Sequence, residues 1–187
     1  MGETQTRVKL TGDDLLEIQA ETGRSYELID GTLIEMAPTG GLHGAIEFKI
    51  AFLIGAYAQQ RNLGQVLVGE VGFYVRGDAH TVRGADVAFI RAEKVPPEGL
   101  PSGFLQIVPD LVVEVVSPSD RSAALAEKVA EWLSFGVEAV WLVYPNTRSV
   151  HVYVDLHGSR IFSGAERLEG SGALAGFSAP VQAFFES

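Results

Sequence analysis

Apolar residues recur at helical spacing in three segments of the chain. Such spacing is typical of a helix that buries one face, and we predict helices over 12–21, 43–61 and 120–135. Thr11 with Asp14 three residues later indicates a capping box before the first helix. Gly64 and Gly136 are expected to close the second and third helices.

Runs of β-branched, aromatic and other apolar residues between the predicted helices favour strands. The predicted strands are 26–29, 32–36, 65–75, 85–91, 111–117, 139–144, 149–154 and 159–162. Asp30-Gly31 is a tight hairpin turn between the first two. Segment 111–117 is apolar on both faces, which predicts a central strand that is covered on both sides.

The remaining segments are predicted to be irregular or short. Residues 92–109 are rich in proline and residues 164–178 are rich in glycine, so both are expected to be loops, and Pro180 could begin a short terminal helix. The order of elements predicts an α/β fold with a central mixed β-sheet flanked by α-helices, preceded by an N-terminal helix and β-hairpin. We expect a single domain over 1–187.

Composition narrows the class of protein further. The 187 residues include no cysteine, which excludes disulfides, cysteine zinc sites and thiolate catalysis. Residues 2–9 are polar and charged, and no apolar run approaches the ~20 residues that a membrane span requires, so we expect a cytoplasmic protein without a signal peptide. The net charge of −10 argues against a dedicated non-specific nucleic-acid binder.

Three charged residues occupy apolar surroundings. Glu114 lies in the predicted central strand, on the same face as Val112 and Val116, where an unpaired carboxylate is costly. Asp86 opens a strand that is otherwise apolar. Lys128 borders the apolar stripe of the third helix. Taken singly, each has an ordinary structural explanation: a salt bridge, a turn, or a lysine covering the edge of the core.

These three residues together indicate a more specific chemistry. The strand that carries Glu114 and the helix that carries Lys128 are consecutive, so the helix must pack back near the strand. Two carboxylates can hold Mg²⁺ through oxygen ligands, and an ammonium can stabilise charge that develops on a phosphate. The combination is the minimum set for metal-dependent hydrolysis of a phosphodiester.

The residues around this set resemble a known family. Segment 109–119 with Lys128, Gly136-Val137 and 141–143 resembles a large bacterial family of restriction endonucleases, the Uma-type endonucleases, which belong to the PD-(D/E)XK nuclease superfamily. Segment 26–31 is similar to the opening hairpin of that family. Further matching pieces follow in the same order, namely Met36-Ala37-Pro38, His43 and Ala85-Asp86-Val87.

The resemblance implies a restriction-endonuclease-like core and a metal-dependent DNA endonuclease. Asp86 and Glu114 would be the metal ligands, for Mg²⁺ or Mn²⁺, and Glu27 and Lys128 would complete the catalytic set. In the wider superfamily the lysine lies two residues after the second carboxylate. That position is Val116 here, so the resemblance places the lysine on the following helix, as Lys128.

Two functions from different classes remain open. One is the DNA endonuclease, as a homodimer suited to cutting both strands; the other is a catalytically weak nuclease-fold binding or regulatory module, which the acidic net charge favours a little. We expect a group of basic residues around Asp86 that would favour the enzyme: Arg76, Arg83, Arg91 and Lys94. His43 follows the Gly40-Gly41 pair at a helix start and could lie near the acidic site, but a structural role is favoured for it.

Overall fold

The computed structural model describes residues 9–186 of the chain. Its three α-helices are α1 (Gly12–Thr22), α2 (Gly41–Arg61) and α3 (Ser122–Phe135), within two residues of the predicted boundaries. The polar stretch 2–9, on which the expected lack of a signal peptide depends, lies outside the described residues except for Lys9. None of the helices described is both long and apolar enough to span a membrane.

Two of the predicted helix ends are confirmed and one is wrong. Thr11 Oγ1 accepts from the backbone N–H of Asp14 while the Asp14 carboxylate accepts from the backbone N–H of Thr11, which is the expected capping box. Gly136 ends α3 at φ 107°. Helix α2, however, ends at Asn62, which adopts the left-handed conformation with φ 52°, and Gly64 instead begins the next strand.

The strands assemble into one large mixed sheet and one small one. Their bounds are β1 (Tyr26–Ile29), β2 (Thr32–Glu35), β3 (Gly64–Tyr74), β4 (Val82–Arg91), β5 (Leu111–Val115), β6 (Ala139–Tyr144), β7 (Ser149–Asp155), β8 (Gly158–Ser163), β9 (Arg167–Glu169) and β10 (Ser178–Pro180). The eight-stranded sheet has the order β2-β1-β4-β5-β6-β7-β8, with β3 also paired to β4. Strands β5 and β6 pair in parallel, and the other pairs are antiparallel.

The glycine-rich segment 164–178 is more ordered than its composition predicts. It contains β9, a short 3₁₀ turn and the first residue of β10, so the expectation of a loop is wrong there. Leu168, Leu174 and Phe177 in this segment are buried against the sheet, and their burial outweighs the conformational freedom of the glycines. The short helix expected after Pro180 is a 3₁₀ turn over Val181–Phe184.

The large sheet is covered on both faces, as predicted for its central strand. On one face, Val113 and Val115 of β5 pack in the same apolar cluster as the inner side of α2 and the C-terminal elements. On the other face, Val112 packs with Val129 and Trp132 of α3. Strand alternation therefore directs Glu114 toward α3, because it shares a face with Val112.

The sheet opens at the position of the two candidate metal ligands. The backbone pairs between β4 and β5 end at Val87 and Val113. Asp86 and Glu114 come next on their strands, beyond the last pair. The Asp86 carboxylate takes the place of a backbone acceptor there, since its Oδ2 accepts from the backbone N–H of Val115 at 2.6 Å. A polar opening is thereby created between β4 and β5 in an otherwise apolar part of the sheet.

Candidate active site

The structure brings Glu27, Glu114 and Lys128 into direct contact. Lys128 Nζ donates to Glu114 Oε2 at 2.8 Å and lies 3.0 Å from Glu27 Oε1. Helix α3 follows β5 after a short turn and packs on the face to which Glu114 points, so the lysine is brought over the strand from the helix. The ammonium therefore links the N-terminal hairpin to the central strand.

Glu114 is held in one orientation by two donors. Its Oε1 accepts from Trp132 Nε1 at 2.9 Å, one turn along α3 from Lys128. Burial raises the pKa of Glu114 to about 8, in opposition to the nearby Lys128 charge. For Lys128, burial acts to lower the pKa, but the carboxylates of Glu114 and Glu27 outweigh it, and the pKa is raised. The lysine therefore stays charged.

Glu27 is buried in the hairpin and joined to the sheet. Its Oε2 accepts from Arg83 Nη1 at 2.8 Å, and its Oε1 accepts from the backbone N–H of Gly84 at 3.0 Å. Burial alone would raise the pKa of Glu27, but the charges of Lys128 and Arg83 outweigh it and lower the pKa. Arg83 also donates to Glu131 on α3, so this arginine ties hairpin, sheet and helix together.

Asp86 lies on the other side of the opening and contacts a second group of residues. His43 Nε2, from the first turn of α2, is 3.2 Å from Asp86 Oδ2. The Glu70 carboxyl group, from β3, belongs to the same group: one potential ligand atom each of His43, Glu70 and Asp86 lie within 4.8 Å of one another. Burial raises the pKa of Asp86, but His43 and the Val115 N–H favour its charged form, and the pKa is lowered overall.

Two members of this second group differ from the sequence-based expectation. For His43 the sequence favours a structural role, whereas the structure places its ring against the Asp86 carboxylate, whose contact raises the pKa of His43. Glu70 is not predicted at all. The one signal in the sequence is Gly69 inside a strand pattern, which is typical of a β-bulge. The register between β3 and β4 does shift there, between Val68 and Val71.

The surroundings of Glu70 disfavour the ionised form of its carboxyl group. Burial, and next the charge of Asp86, raise the pKa of Glu70 to about 7. Glu47, one turn after His43 on α2, has a raised pKa for the same reasons, burial and Asp86, and its Oε1 accepts from the backbone N–H of Gly69 at 2.9 Å. Carboxylates are thus crowded on this side of the opening beyond what the neighbouring cations neutralise, which is the situation that a bound divalent cation relieves.

Asp110 has no part in this site, although Pro109-Asp110 followed by Glu114 matches the literal order of the superfamily motif. Asp110 precedes β5 and lies four residues from Glu114, a distance of ~13 Å along an extended strand. Its carboxylate accepts from Arg91 Nε and from Lys94 Nζ, both at 2.7 Å. The aspartate that reaches the opening is Asp86, as the resemblance implies.

The group of basic residues expected around Asp86 does not form. Arg91 and Lys94 bind Asp110 at the opposite end of β4. Arg76 pairs with Glu131 on the surface of α3. Of the four residues, Arg83 alone borders the site, and it is engaged by Glu27 and Glu131. Each of these four cations already has an anionic partner within the chain.

The site opens into a cleft of about 480 Å³ between the hairpin, the start of α2 and the start of α3. The acidic residues among its lining outnumber the lysine and arginine residues by seven to three. They are Glu27, Glu35, Glu70, Asp86, Glu114, Asp120 and Glu127, against Arg83, Arg121 and Lys128. Carboxylate oxygens in this number fit a hard divalent cation, for which they are the preferred ligands.

Comparison with known proteins identifies the family of the chain. The model of the Uma2 family, described as "Putative restriction endonuclease", matches residues 13–182. The chain therefore belongs to the Uma2 family. Its fold is similar to the crystal structure of a protein described as a putative nuclease of the DUF820 family, from Anabaena variabilis, with a TM-score of 0.79 and 20% sequence identity. The similarity covers 94% of this chain and 97% of the other.

No curated protein matches the chain. The family and the fold together support a nuclease, a hydrolase that acts on nucleic acids. The expected restriction-endonuclease-like α/β fold is confirmed.

Proposed function

We propose that the protein is a metal-dependent DNA endonuclease that hydrolyses phosphodiester bonds with Mg²⁺ or Mn²⁺. The observation that carries this proposal is the contact between Lys128 and Glu114 beside Asp86, at the opening of the central sheet. A lysine buried among carboxylates has a structural use as an ion pair. Here, however, the group lines a cleft, which makes it accessible to a substrate.

In this proposal, Asp86 and Glu114 hold the metal ion. When bound there, such an ion would activate a water and would neutralise charge that develops on the phosphate. Lys128 donates a hydrogen bond to the attacking water or to the phosphoryl oxygen, where it stabilises negative charge in the transition state. Glu27 orients Lys128 at 3.0 Å, and Trp132 fixes the orientation of the Glu114 carboxylate.

We further propose that the protein acts in the cytoplasm as a single domain over 1–187. The large sheet takes strands from both the N-terminal hairpin and the C-terminal half, which supports one cooperative unit. The proposed substrate is DNA. Arg121 at the start of α3 is exposed on the cleft lining, where it can meet a phosphate.

We also propose a homodimer, because two symmetric copies would suit a cut through both strands. Helix α2 exposes Phe48 and Phe52, which are 68% and 58% accessible and stack at 6.2 Å between ring centroids. With Val68 of β3 they border an apolar groove of about 400 Å³. Exposed aromatic residues at such a density are typical of an interface between chains. A second copy is the partner that we propose for this face.

The acidic lining of the cleft favours a second candidate function. DNA carries a negative charge on every phosphate, and a cleft dominated by carboxylates repels it unless bound cations change the balance. A catalytically weak binding or regulatory module with the nuclease fold would keep the same side chains as an ion-pair network. The two candidates differ in whether the protein, once it is loaded with metal, turns over DNA.

A plasmid cleavage assay with Mg²⁺ and with Mn²⁺ separates the candidates. Under the endonuclease proposal, wild type nicks or linearises the plasmid, while Glu114→Gln and Asp86→Asn each lower the rate by ~10²-fold or more. Glu93→Gln, an exposed residue in the loop after β4, is the matched control and cleaves as wild type does. Wild-type protein that is folded and binds metal but leaves the plasmid intact would favour the binding module.

A further inference from the structure

We propose that His43 and Glu70 complete the metal site with Asp86, so that the ion has an imidazole ligand and is a first-row transition cation such as Mn²⁺ rather than Mg²⁺. This inference deepens the proposed function, since it concerns the ion on which that function depends. It rests on the geometry of three side chains that come from α2, β3 and β4.

The spacing of the donor atoms suits a single ion. Neighbouring ligands of an octahedral ion lie ~3 Å apart when each is ~2.1 Å from the metal. His43 Nε2 and Asp86 Oδ2 are 3.2 Å apart. All three potential ligand atoms lie within 4.8 Å of one another, which is close to the span of two opposite ligands. The three side chains therefore need little rearrangement to bind a common ion.

The imidazole nitrogens of His43 make no hydrogen bond within the described residues. Both ring nitrogens are buried, and neither has a hydrogen-bond partner of acceptable geometry within residues 9–186, even though Nε2 lies close to Asp86. A buried polar atom without a partner is costly, and such atoms are rare in native proteins. Coordination of Nε2 to a cation would remove this cost for the nitrogen that faces Asp86.

The backbone around Glu70 is shaped to direct its carboxylate inward. Gly69 and Glu70 have φ values of 88° and 57°, and a positive φ is uncommon for glutamate. The resulting bulge is held by Glu47, which accepts from the Gly69 N–H. On β4, a Cβ atom at Gly84 would lie only 2.8 Å from Glu70 Oε2, so the glycine leaves room for the carboxylate. Strain of this kind is typical of functional sites.

The donor set determines the class of ion. Mg²⁺ binds oxygen ligands and seldom takes a nitrogen from protein, whereas first-row transition cations bind mixed nitrogen and oxygen sites, with an affinity that generally rises along the row from Mn²⁺ to Cu²⁺. A ligand set that includes His43 should therefore prefer first-row transition cations over Mg²⁺ more strongly than the carboxylates of Asp86 and Glu114 alone would. The inference predicts a Mn²⁺ affinity at least about tenfold above the Mg²⁺ affinity.

The direct test is pulsed electron paramagnetic resonance on the full-length, Mn²⁺-loaded wild-type protein without DNA. An imidazole ligand gives a ¹⁴N coupling to the bound Mn²⁺, and we expect that coupling. Bound Mn²⁺ without a nitrogen coupling would overturn the proposal. This measurement requires no variant to fold and no nuclease activity, so its failure is distinguishable from failure of the endonuclease proposal.

Binding titrations supply the second test, with free Mn²⁺ measured by its room-temperature resonance signal and Mg²⁺ added as competitor. We expect His43→Ala and Glu70→Gln to weaken Mn²⁺ binding by about tenfold or more, and His43→Ala to change the Mg²⁺ affinity much less. His157→Ala, in the exposed turn between β7 and β8, is the matched control and should bind as wild type does. Unchanged Mn²⁺ affinity in folded His43→Ala, verified by circular dichroism, would contradict the proposal.

Discussion

Lys128 Nζ lies 2.8 Å from Glu114 Oε2, although the two residues are 14 positions apart and belong to different elements. The strand position that carries the lysine in the wider superfamily is Val116, which packs in the apolar cluster under α3. The ammonium therefore reaches the Glu114 carboxylate from helix α3 and not from the strand.

The first prediction concerns Lys128, which contacts Glu114 from α3. Lys128→Ala should lower kcat of DNA cleavage by ~10²–10³-fold while KM changes little, because the ammonium acts on charge that develops in the transition state. Lys128→Arg should not restore full activity, since a planar guanidinium cannot occupy the same position between Glu114 and Glu27. Steady-state cleavage of a defined duplex measures both parameters.

Metal binding is the control for the Lys128 variants. Removal of the Lys128 ammonium leaves Glu114 and Glu27 without their shared partner. Because this change increases the local negative charge, it should not weaken binding of a divalent ion. A Lys128→Ala protein that loses Mn²⁺ affinity along with activity would indicate that the lysine only holds the carboxylates in position. A variant that cleaves as fast as wild type would remove Lys128 from the proposed mechanism altogether.

The second prediction concerns Asp110, which we expect to stabilise the fold without a part in activity. Burial raises the pKa of Asp110, but hydrogen bonds from Arg91 and Lys94 outweigh it and lower the pKa below its usual value. Asp110→Asn should reduce the free energy of unfolding by about 2 kcal/mol at neutral pH, because it leaves a buried ion-pair network incomplete. Urea denaturation measures the loss, and cleavage by the folded variant should be unchanged.

The sign of the pH dependence follows from the direction of the Asp110 shift. A carboxyl group whose pKa is lower in the folded state contributes stability above its unfolded pKa of ~3.9, and that stability is lost as the pH falls toward the folded pKa. The stability difference between wild type and Asp110→Asn should therefore be constant from pH 7 to about 5 and shrink below ~4. A difference at pH 3 as large as that at pH 7 would contradict the ion-pair explanation.

Sequence patterns predict the fold well where one physical cause dominates. The period of the apolar residues predicts the ends of the three helices to within two residues, and the run of valines predicts the buried strand β5. Glu114, Lys128 and Asp86 are identifiable because a charge in an apolar segment is conspicuous on its own strand or helix. The pattern fails at 164–178, where tertiary burial of Leu168 and Phe177 overrides a composition that is typical of loops.

Contacts that depend on tertiary geometry could not be predicted from the sequence. Glu70 is one of many acidic residues, and only the bulge beside β4 directs it to Asp86. The basic group expected around Asp86 fails for the same reason, since neighbours along a strand of ten residues are spread over ~30 Å. Arg91 therefore meets Asp110 at one end of β4, while Arg83 meets Glu27 at the other.

The third prediction tests the space that Gly84 provides. Gly84→Ala would place a Cβ atom 2.8 Å from Glu70 Oε2, and this end of a flexible side chain can move away. We therefore expect near-normal stability, with a melting temperature within ~2 °C of wild type, but Mn²⁺ affinity reduced by about tenfold. Gly103→Ala is the matched control, because its Cβ would meet Leu16 at 3.5 Å, an ordinary contact remote from the cleft lining.

The fourth prediction tests the proposed homodimer. Light scattering after size exclusion should give twice the chain mass for wild type and the mass of one chain for Phe48→Asp, because the charge would be buried in the interface. Leu156→Asp is the matched control: Leu156 is 66% exposed in the turn between β7 and β8, away from α2. A monomeric wild type, or a Phe48→Asp protein that stays dimeric, would exclude this face as the interface.

The last prediction uses thermal stability to separate a metal site from a surface acidic patch. Glu70 is half-buried beside the buried Asp86, and their repulsion should make the metal-free protein less stable than its core allows. Asp86 is held by the Val115 N–H, so Glu70 is the group whose charge costs most. Glu70→Gln should therefore raise the melting temperature without metal.

Added Mn²⁺ should then affect the two proteins differently. In wild type, Mn²⁺ at ~10 times its Kd adds about 1.4 kcal/mol to the free energy of unfolding, which corresponds to a rise of roughly 3–6 °C in Tm for a chain of this size. Glu70→Gln should gain little at the same concentration. Screening by ~0.15 M salt would abolish a nonspecific surface effect but leave the rise at a coordinated ion intact. Equal shifts in wild type and Glu70→Gln at that salt concentration would show that Glu70 takes no part in binding the ion.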